Sequence, residues 1–380
     1  MRILLVSHTA MSRTAGQPRL HALANHPDFE VTALVPDRMN FYGKWETAET
    51  PVNPKFRYVI GAARGQNVAG QWYLQHYPTA LKALICELKP DVLDLWHEPW
   101  SLVSAQAIAL ARKYSPQTRI LTETEQNIYK RLPPPFAQFQ AYTLRHAHYL
   151  VGRNAEAIEV ARRKGWQGES RVIPNSVDCD LFQPAAARSQ NEIFRIGYVG
   201  RLVPEKGLSD LLAAFAHLPN DSELILAGEG SMRQELEAQA QTLGIASRVT
   251  FVGNMPYLAL PPLMQSFDVL VLPSRTTATW KEQFGRVLIE AGACGIPVIG
   301  SSSGAIPEVI ADAGLVFPEG DIARLAGCLN QLKDSPQERE TLGKIGRERA
   351  VWRYSWKQTA KFMAAIYHEM RQRGNRENSL

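Results

Sequence analysis

Short apolar runs recur along the chain, each followed by a polar loop and then by a stretch with helical spacing. Ile3 to Val6, Val31 to Val35, Phe56 to Ile60, Val92 to Trp96, Ile120 to Thr122, Tyr149 to Gly152 and Arg171 to Ile173 read as strands. Helical patterns over residues 18–24, 78–88 and 104–114 lie between them. Apolar strands alternating with helices predict a parallel sheet covered on both faces. After the small, polar and aperiodic segment 183–192, which reads as a linker, the pattern restarts. Arg195 to Val199, Glu223 to Ala227, Val249 to Val252, Val269 to Leu272 and Pro297 to Ile299 are the expected strands of a second unit. Its helices are expected over 207–218, 232–243, 262–266 and 284–293.

The pattern makes the chain an α/β protein of two lobes meeting near residue 185. Domain 1–185 comes first, domain 186–355 second, and 356–380 form a C-terminal amphipathic helix and tail. That helix carries Phe362, Ile366 and Tyr367, and its end is expected to fray from Arg371. Two such lobes leave a cleft. Ligands of open α/β sheets sit beyond the carboxyl ends of the strands, so the loops after strands are where chemistry is expected.

Composition narrows the class. With 380 residues, 45% hydrophobic and 21% charged, the chain is globular, neither disordered nor collagen-like. Cys86, Cys179, Cys294 and Cys328 contain no close pair, against a zinc ribbon, a CxxC redox site or a disulfide framework. Such usage fits a reducing cytoplasm. No run is long enough to span a bilayer, and Ile3 to Val6 is too short for a signal-peptide core. The net charge of +5 is uneven: residues 1–189 hold 22 Lys and Arg against 16 Asp and Glu, the remainder 20 against 21. The surplus is either a solvated surface or an attraction to an anionic partner such as a membrane or a phosphorylated lipid. Without a basic stripe interleaved with aromatics, nucleic acid is disfavoured.

Two loops of the second half concentrate the chemistry. Gly200-Arg201 leaves a strand, and Pro204-Glu205-Lys206-Gly207 opens a helix. Arg201 offers a planar fork and Lys206 a point charge, a pair suited to a diphosphate whose charge grows as a bond breaks. The plain alternative is a surface turn with two solvated cations. Farther on, Glu282 and Glu290 stand eight residues apart, about 12 Å along a helix if both were helical. That span would place one carboxylate at a sugar and the other at a ribose. The helix starting near Phe284 would turn its free N–H groups toward phosphate, with Gly285 keeping the approach open. Otherwise Glu290 is a surface acid.

The ordered set Pro174-Asn175-Ser176-Val177-Asp178…Phe182, Gly200-Arg201-Leu202…Glu205-Lys206-Gly207 and Ala227-Gly228-Glu229-Gly230 resembles the retaining glycosyltransferases of GT-B fold called family GT4, glycosyl transferases group 1. The likeness continues through Val252-Gly253, Pro273-Ser274, Glu282…Glu290-Ala291, Gly295 to Ile299 and Ser303 to Glu308, covering nearly all of 170–330. It implies the GT-B fold: two Rossmann-like lobes around a cleft, with the last helix crossing back to the N-terminal lobe. It implies a donor linked to uridine or guanosine diphosphate, held by the second domain. Arg201 and Lys206 would bind the diphosphate, Glu290 the ribose, Glu282 the transferred sugar, and the backbone of Phe284, Gly285 and Arg286 both sugar and phosphate. Gly200 would admit the phosphates closely, while the base rests near Gly228 and Gly253. No metal or cofactor is implied; Asp178-Cys179-Asp180 has the spacing of a metal motif but belongs to the strand-exit segment.

In the first half only Gly16 matches the phosphate-facing glycine pair of that family. The loop is also not the G-x-G-x-x-G of a dinucleotide site. His97, in Asp94-Leu95-Trp96-His97-Glu98-Pro99, is either a cleft residue or a packed strand-end histidine. Where many relatives place a histidine near the reacting sugar, this chain has Glu125-Gln126. Glu125 is then a general base, a hydrogen-bond anchor for a sugar, or a solvated loop acid. Asn40 to Trp45 and Gln71-Trp72-Tyr73 look like sugar-stacking loops. Pro133 to Phe136, with Phe139, Tyr142 and Leu144, is either core or a membrane interface. The expected function is transfer of a hexose to a hydroxyl acceptor (a glycan, glycolipid or small molecule) in bacterial polysaccharide or glycolipid assembly, in the cytoplasm and peripherally at the inner membrane face. An inactive nucleotide-sugar-binding protein and an epimerase on the same fold are the alternatives.

Overall fold

A computed structural model describes residues 1–41, 44–65, 72–186 and 193–377. Tyr42, Gly43 and Gln71 of the expected aromatic loops and residues 187–192 of the expected linker lie outside these, as do the side chains of Phe41, Lys44 and Trp72. The chain divides into two compact units: Met1–Pro174 together with Trp356–Leu380, and Asn175–Ser355.

The first unit contains β1 (Arg2–Ser7), β2 (Glu30–Pro36), β3 (Arg38–Phe41), β4 (Lys44–Thr47), β5 (Arg57–Gly61), β6 (Val92–Trp96), β7 (Arg119–Thr124), β8 (Tyr149–Gly152) and β9 (Glu169–Val172). Its main sheet is parallel, in the order β5-β2-β1-β6-β7-β8-β9. Because side chains alternate along a strand, β1 feeds two cores. Ile3 and Leu5 pack with Leu20 of the helix Gln17–Ala24 and with Met363 and Tyr367 of the C-terminal helix. Leu4 and Val6 pack with the helices Ala80–Leu88 and Leu102–Tyr114. A strand apolar on both faces, as the sequence shows at Ile3 to Val6, needs this double cover.

The second unit contains β10 (Phe194–Val199), β11 (Ser222–Ala227), β12 (Val249–Gly253), β13 (Val269–Leu272), β14 (Val298–Ser301) and β15 (Gly314–Phe317). These form a parallel sheet in the order β12-β11-β10-β13-β14-β15. In each sheet the winding direction reverses once, between β1 and β6 in one and between β10 and β13 in the other. Such switch points open a crevice at the carboxyl ends of the strands.

The structure corrects several expectations. The break falls at Pro174, not near residue 185. Val177 and Phe182 are fully buried in the second core, and the Val177 N–H donates to the Tyr354 carbonyl at 2.9 Å. The chain thus leaves the first unit and returns to it at neighbouring points, since Val177 also bridges Ser355. The last helix is Trp356–Glu377 and so continues past Arg371. The polar segment before Trp45 contributes to an antiparallel hairpin of β3 and β4. Phe136–His146 is a helix that buries Gln140, Thr143 and Leu144, while Phe136, Phe139 and Tyr142 are half-buried and Pro133 to Pro135 exposed. Among the described residues no helix is long and apolar enough to cross a membrane.

Candidate functional site

Three turns beyond the carboxyl ends of β10, β11 and β12 lie against one another. The Gly200 N–H donates to the Ala227 carbonyl at 2.9 Å, and the Gly228 N–H to the Gly253 carbonyl at 2.8 Å. Gly228 has φ 139°, and a Cβ there would stand 1.8 Å from the Gly200 carbonyl oxygen. Only glycine permits that approach. Val199, Gly200, Arg201, Gly228, Glu229 and Asn254 line a cavity of about 150 Å³ between these turns. The Tyr198 hydroxyl donates to the Arg201 carbonyl at 2.7 Å, which fixes the backbone of the Arg201 turn. The guanidinium itself is half exposed and lies 3.5 Å from Glu205.

Across the switch point, the loop after β13 brings the other charges together. Lys206 Nζ donates to Glu282 Oε2 at 2.5 Å, and Ser274 Oγ donates to the same oxygen at 2.8 Å. Both charged side chains are largely buried, and the Lys206 ammonium lies 4.8 Å from the centre of the Trp280 ring. Arg275 grips Asp210 with two bonds of 2.5 and 2.7 Å, while its N–H donates to the Glu205 carbonyl at 2.8 Å. These bonds tie the loop after β13 to the turn that carries Lys206. The sequence placed Lys206 and Glu282 at separate parts of a ligand; the fold makes them partners.

Glu282 and Glu290 do not share a helix. The helix is Arg286–Ala293, with Gly285 as its N-cap at φ 78° and Phe284 buried just before it. Glu282 precedes it in a loop pinned by the Glu282 N–H to Ser303 Oγ and the Ala305 N–H to the Glu282 carbonyl. Glu290 is buried. Its Oε1 takes the Tyr257 hydroxyl at 3.3 Å and faces Arg286 Nε at 3.2 Å. Burial raises its carboxyl above the ordinary value, against the opposing pull of Arg286 and Tyr257. Tyr257 had no signal in the sequence, because a tyrosine after a proline turn carries no pattern. Asp178 Oδ1 accepts the N–H groups of Asp180 and Leu181, making a turn cap of the Asp-Cys-Asp segment.

In the first unit, His8 and His97 follow β1 and β6 at that sheet's switch point. Their Nδ1 atoms are 3.2 Å apart and their ring centres 4.7 Å. His97 is 3% exposed, and among the described residues its Nε2 has no hydrogen-bond partner. Burial pushes His8 down to about 4 and His97 well below its ordinary value. An unfolded histidine binds its proton near pH 6.5. The unfolded chain therefore takes up more protons between about pH 6.5 and 4, and stability falls as pH drops through that window. In urea titrations at each pH, His97→Gln is expected to flatten this decline. An unchanged slope would assign the acid sensitivity elsewhere.

Glu125 follows β7, its side chain 41% exposed and 3.5 Å from Arg153 Nε. Its N–H donates to Glu98 Oε1 at 2.7 Å, and the Thr124 hydroxyl donates to Glu98 Oε2 at 2.7 Å. Glu98, absent from the expected site, therefore holds the backbone that presents Glu125. Burial pushes its carboxyl up to about 7 against those two donors. Gly16 is accounted for by packing. Its N–H donates to the Ser12 carbonyl, and a Cβ would stand 2.5 Å from the Thr9 carbonyl group. That amide is thus engaged within its own loop.

The sequence also missed a buried ionic network behind this loop. Arg19 Nη2 donates to Asp94 Oδ2 and to Glu123 Oε1, each at 2.6 Å, and Arg153 pairs with Glu123. The Tyr367 hydroxyl donates to Asp94 at 2.5 Å, joining the C-terminal helix to the network. Burial alone would raise Glu123, yet the Arg153 and Arg19 guanidiniums hold it below its ordinary value.

Two doubly wound parallel sheets, each with polar side chains gathered at its switch point, define the GT-B class of glycosyltransferase folds. Residues 182–349 match the family described as glycosyl transferases group 1, and the second unit is a domain of that family. The MMP alpha-(1->4)-mannosyltransferase of Mycolicibacterium hassiacum is 36% identical over 204 residues, 52% of this chain and 48% of its own. The match therefore spans about half the length of that relative. Glycogen synthase of Mycobacterium tuberculosis is 29% identical over 292 residues, 73% of this chain and 69% of its own. Sucrose-phosphate synthase from Thermosynechococcus elongatus shares the fold, with a TM-score of 0.72 at 23% identity over 97% of this chain and 99% of that one.

Proposed function

We propose that the chain is a retaining, metal-independent hexosyltransferase of family GT4, taking its sugar from a uridine or guanosine diphosphate donor. The observation that carries this is the Lys206–Glu282–Ser274 cluster beside Arg201 at the switch point of the second sheet. The cavity at Gly200, Gly228 and Asn254 suits the nucleoside. Glu290 beside Tyr257 suits the ribose hydroxyls. Lys206 and Arg201 supply the positive charge that a metal would otherwise bring to a leaving diphosphate. In the transfer the acceptor oxygen bonds to the anomeric carbon as the bond from that carbon to the diphosphate oxygen breaks. The hydroxyl proton passes to the departing phosphate oxygen on the same face, and Glu125 orients the acceptor hydroxyl.

The names of the relatives, a mannosyltransferase and a glycogen synthase, support a sugar-transfer role. An anionic acceptor, such as a phospholipid-linked sugar at the inner membrane face, fits the basic first unit. There the exposed Tyr129 ring lies 4.6 Å from the Arg163 guanidinium carbon and 5.5 Å from the Lys164 ammonium.

A panel of nucleotide sugars, scored first by thermal shift and then by nucleoside diphosphate release with and without EDTA, tests the reading. Donor-dependent stabilisation, release that survives EDTA and a product with the donor's anomeric configuration are expected. Binding without transfer or hydrolysis would favour an inactive binding protein, and conversion of the free donor's sugar an epimerase. Glu125→Gln is expected to lower turnover at least about tenfold while leaving the donor-induced thermal shift in place. A loss confined to donor binding would remove Glu125 from the acceptor side.

A further inference from the structure

At the opposite end of the first sheet, the turn between the helix Gln17–Ala24 and β2 meets the C-terminal helix. His26 and Asp28 lie in that turn and His368 on the helix. One ligand atom from each, two imidazole nitrogens and a carboxylate oxygen, all stand within 4.8 Å of one another. The turn precedes β2, so the cluster sits at the amino ends of the strands, away from the switch-point residues. None of its members enters the chemistry proposed above.

The rings are held rather than loose. Phe29, itself buried, stacks on His26 with ring centres 4.1 Å apart at 17°. Its centre is also 5.5 Å from the His368 ring, and the two histidine rings are 5.6 Å apart. The turn between His26 and Asp28 is drawn in by the Met1 ammonium, which donates to the Asp28 carbonyl at 2.5 Å. His26 Nδ1 accepts only a long bond of 3.3 Å from the exposed Asp28 N–H, so its lone pair already points toward the Asp28 segment. An ion could take that lone pair, leaving the exposed N–H to water.

We propose that His26, Asp28 and His368 form a site for a divalent transition-metal ion of the zinc class, which clamps the C-terminal helix to the turn before β2. Two imidazoles and one carboxylate suit zinc, nickel or copper, whereas magnesium and calcium require mostly oxygen ligands. Zinc bonds of about 2.0–2.1 Å at tetrahedral angles put ligand atoms about 3.3 Å apart. Side-chain rotations at these partly exposed positions close the remaining gap. Water completes the coordination. His368 is far in sequence from His26 and Asp28, so the ion would close a very long loop, the arrangement in which a cross-link most restricts the unfolded chain.

The test uses the full chain, stripped with EDTA and dialysed, titrated calorimetrically with zinc chloride and in parallel with magnesium chloride. One zinc per chain at about micromolar affinity or tighter is expected, with no heat from magnesium. Saturating zinc should raise the thermal midpoint by about 2 °C or more. His368→Ala and His26→Ala should each weaken zinc binding at least about tenfold and abolish the rise in midpoint. Both side chains are partly exposed, so the metal-free midpoint should stay near that of the parent chain. Zinc bound equally well by both variants would place the ion elsewhere and overturn the assignment. So would binding only at millimolar zinc, or binding matched by magnesium. None of these readouts depends on sugar transfer.

Discussion

Replacing Lys206 by alanine is expected to lower transfer by about 10²–10³-fold, the loss seen when one donor to a developing negative charge is removed. Nucleoside diphosphate should also stabilise the variant less. The reason lies in the geometry around the ammonium. Lys206 is held by Glu282 Oε2 at 2.5 Å and stands over Trp280, in a largely buried position where charge is weakly screened. Its partner Glu282 is in turn fixed by Ser274 and by the Ser303 contact to its backbone. The cation is thus already placed before any donor arrives, so little reorganisation accompanies the rise of negative charge on the leaving diphosphate. Ser274→Ala removes one bond to Glu282 and should have a smaller effect, acting through the orientation of that carboxylate. Steady-state rates of nucleoside diphosphate release, with circular dichroism to confirm the fold, check both variants. Turnover in Lys206→Ala equal to the parent would falsify the donor-site assignment.

Glu123→Gln is expected to destabilise the first unit by about 3–5 kcal/mol, the range for breaking a buried ion pair while leaving its partner behind. Glu123 is 3% exposed and binds both Arg19 and Arg153, themselves 1% and 3% exposed at the side chain. Without its charge, Arg19 keeps Asp94 as its ionic partner, and Arg153 keeps only the partly exposed Glu125, 3.5 Å away. Among the described residues Arg19 Nε and Nη1 already have no hydrogen-bond partner, so losing Glu123 adds to an existing deficit. The effect should be read as a fall in thermal midpoint and in the urea midpoint of the first unit. Glu125→Gln, two residues away but on an exposed side chain, is the control and should change stability by no more than about 0.5 kcal/mol. Equal losses in the two variants would mean that the network is not what holds this face. The network also explains why the last helix belongs to the first unit. Tyr367 is fully buried among Ile3, Leu5 and Met363, and its hydroxyl reaches Asp94.

The residues proposed for the donor side were legible as a group because they sit close together in sequence at the ends of recognisable strands. Gly200 and Arg201 follow β10, Lys206 opens the next helix, and Gly285 and Glu290 stand at a helix start. What failed was any statement that needed a distance. A helical rise was assumed from Glu282 to Glu290, but the helix begins only at Arg286, and Glu282 lies in the preceding loop, its carbonyl packed against Gly304 at φ 52°. Glu98 was visible in its His-Glu-Pro segment without revealing its role, because the role consists of two bonds to residues on the following strand. Gly16 matched a phosphate-loop pattern, and only the fold shows that the Thr9 backbone also requires a glycine there.

By itself, the sequence determined nearly all of the parallel strands, their division into two sheets and the loops that carry the cations. Each follows from periodicity or spacing over a few residues, and a buried parallel strand can hardly be written except as an apolar run. The tertiary structure decided where the units divide, which charges pair and what the last helix covers. Val177 with Tyr354, Lys206 with Glu282, Arg19 with Glu123 and Asp94 with Tyr367 are contacts between distant parts of the chain. Their energies depend on burial and ångström-scale distances that no local pattern encodes.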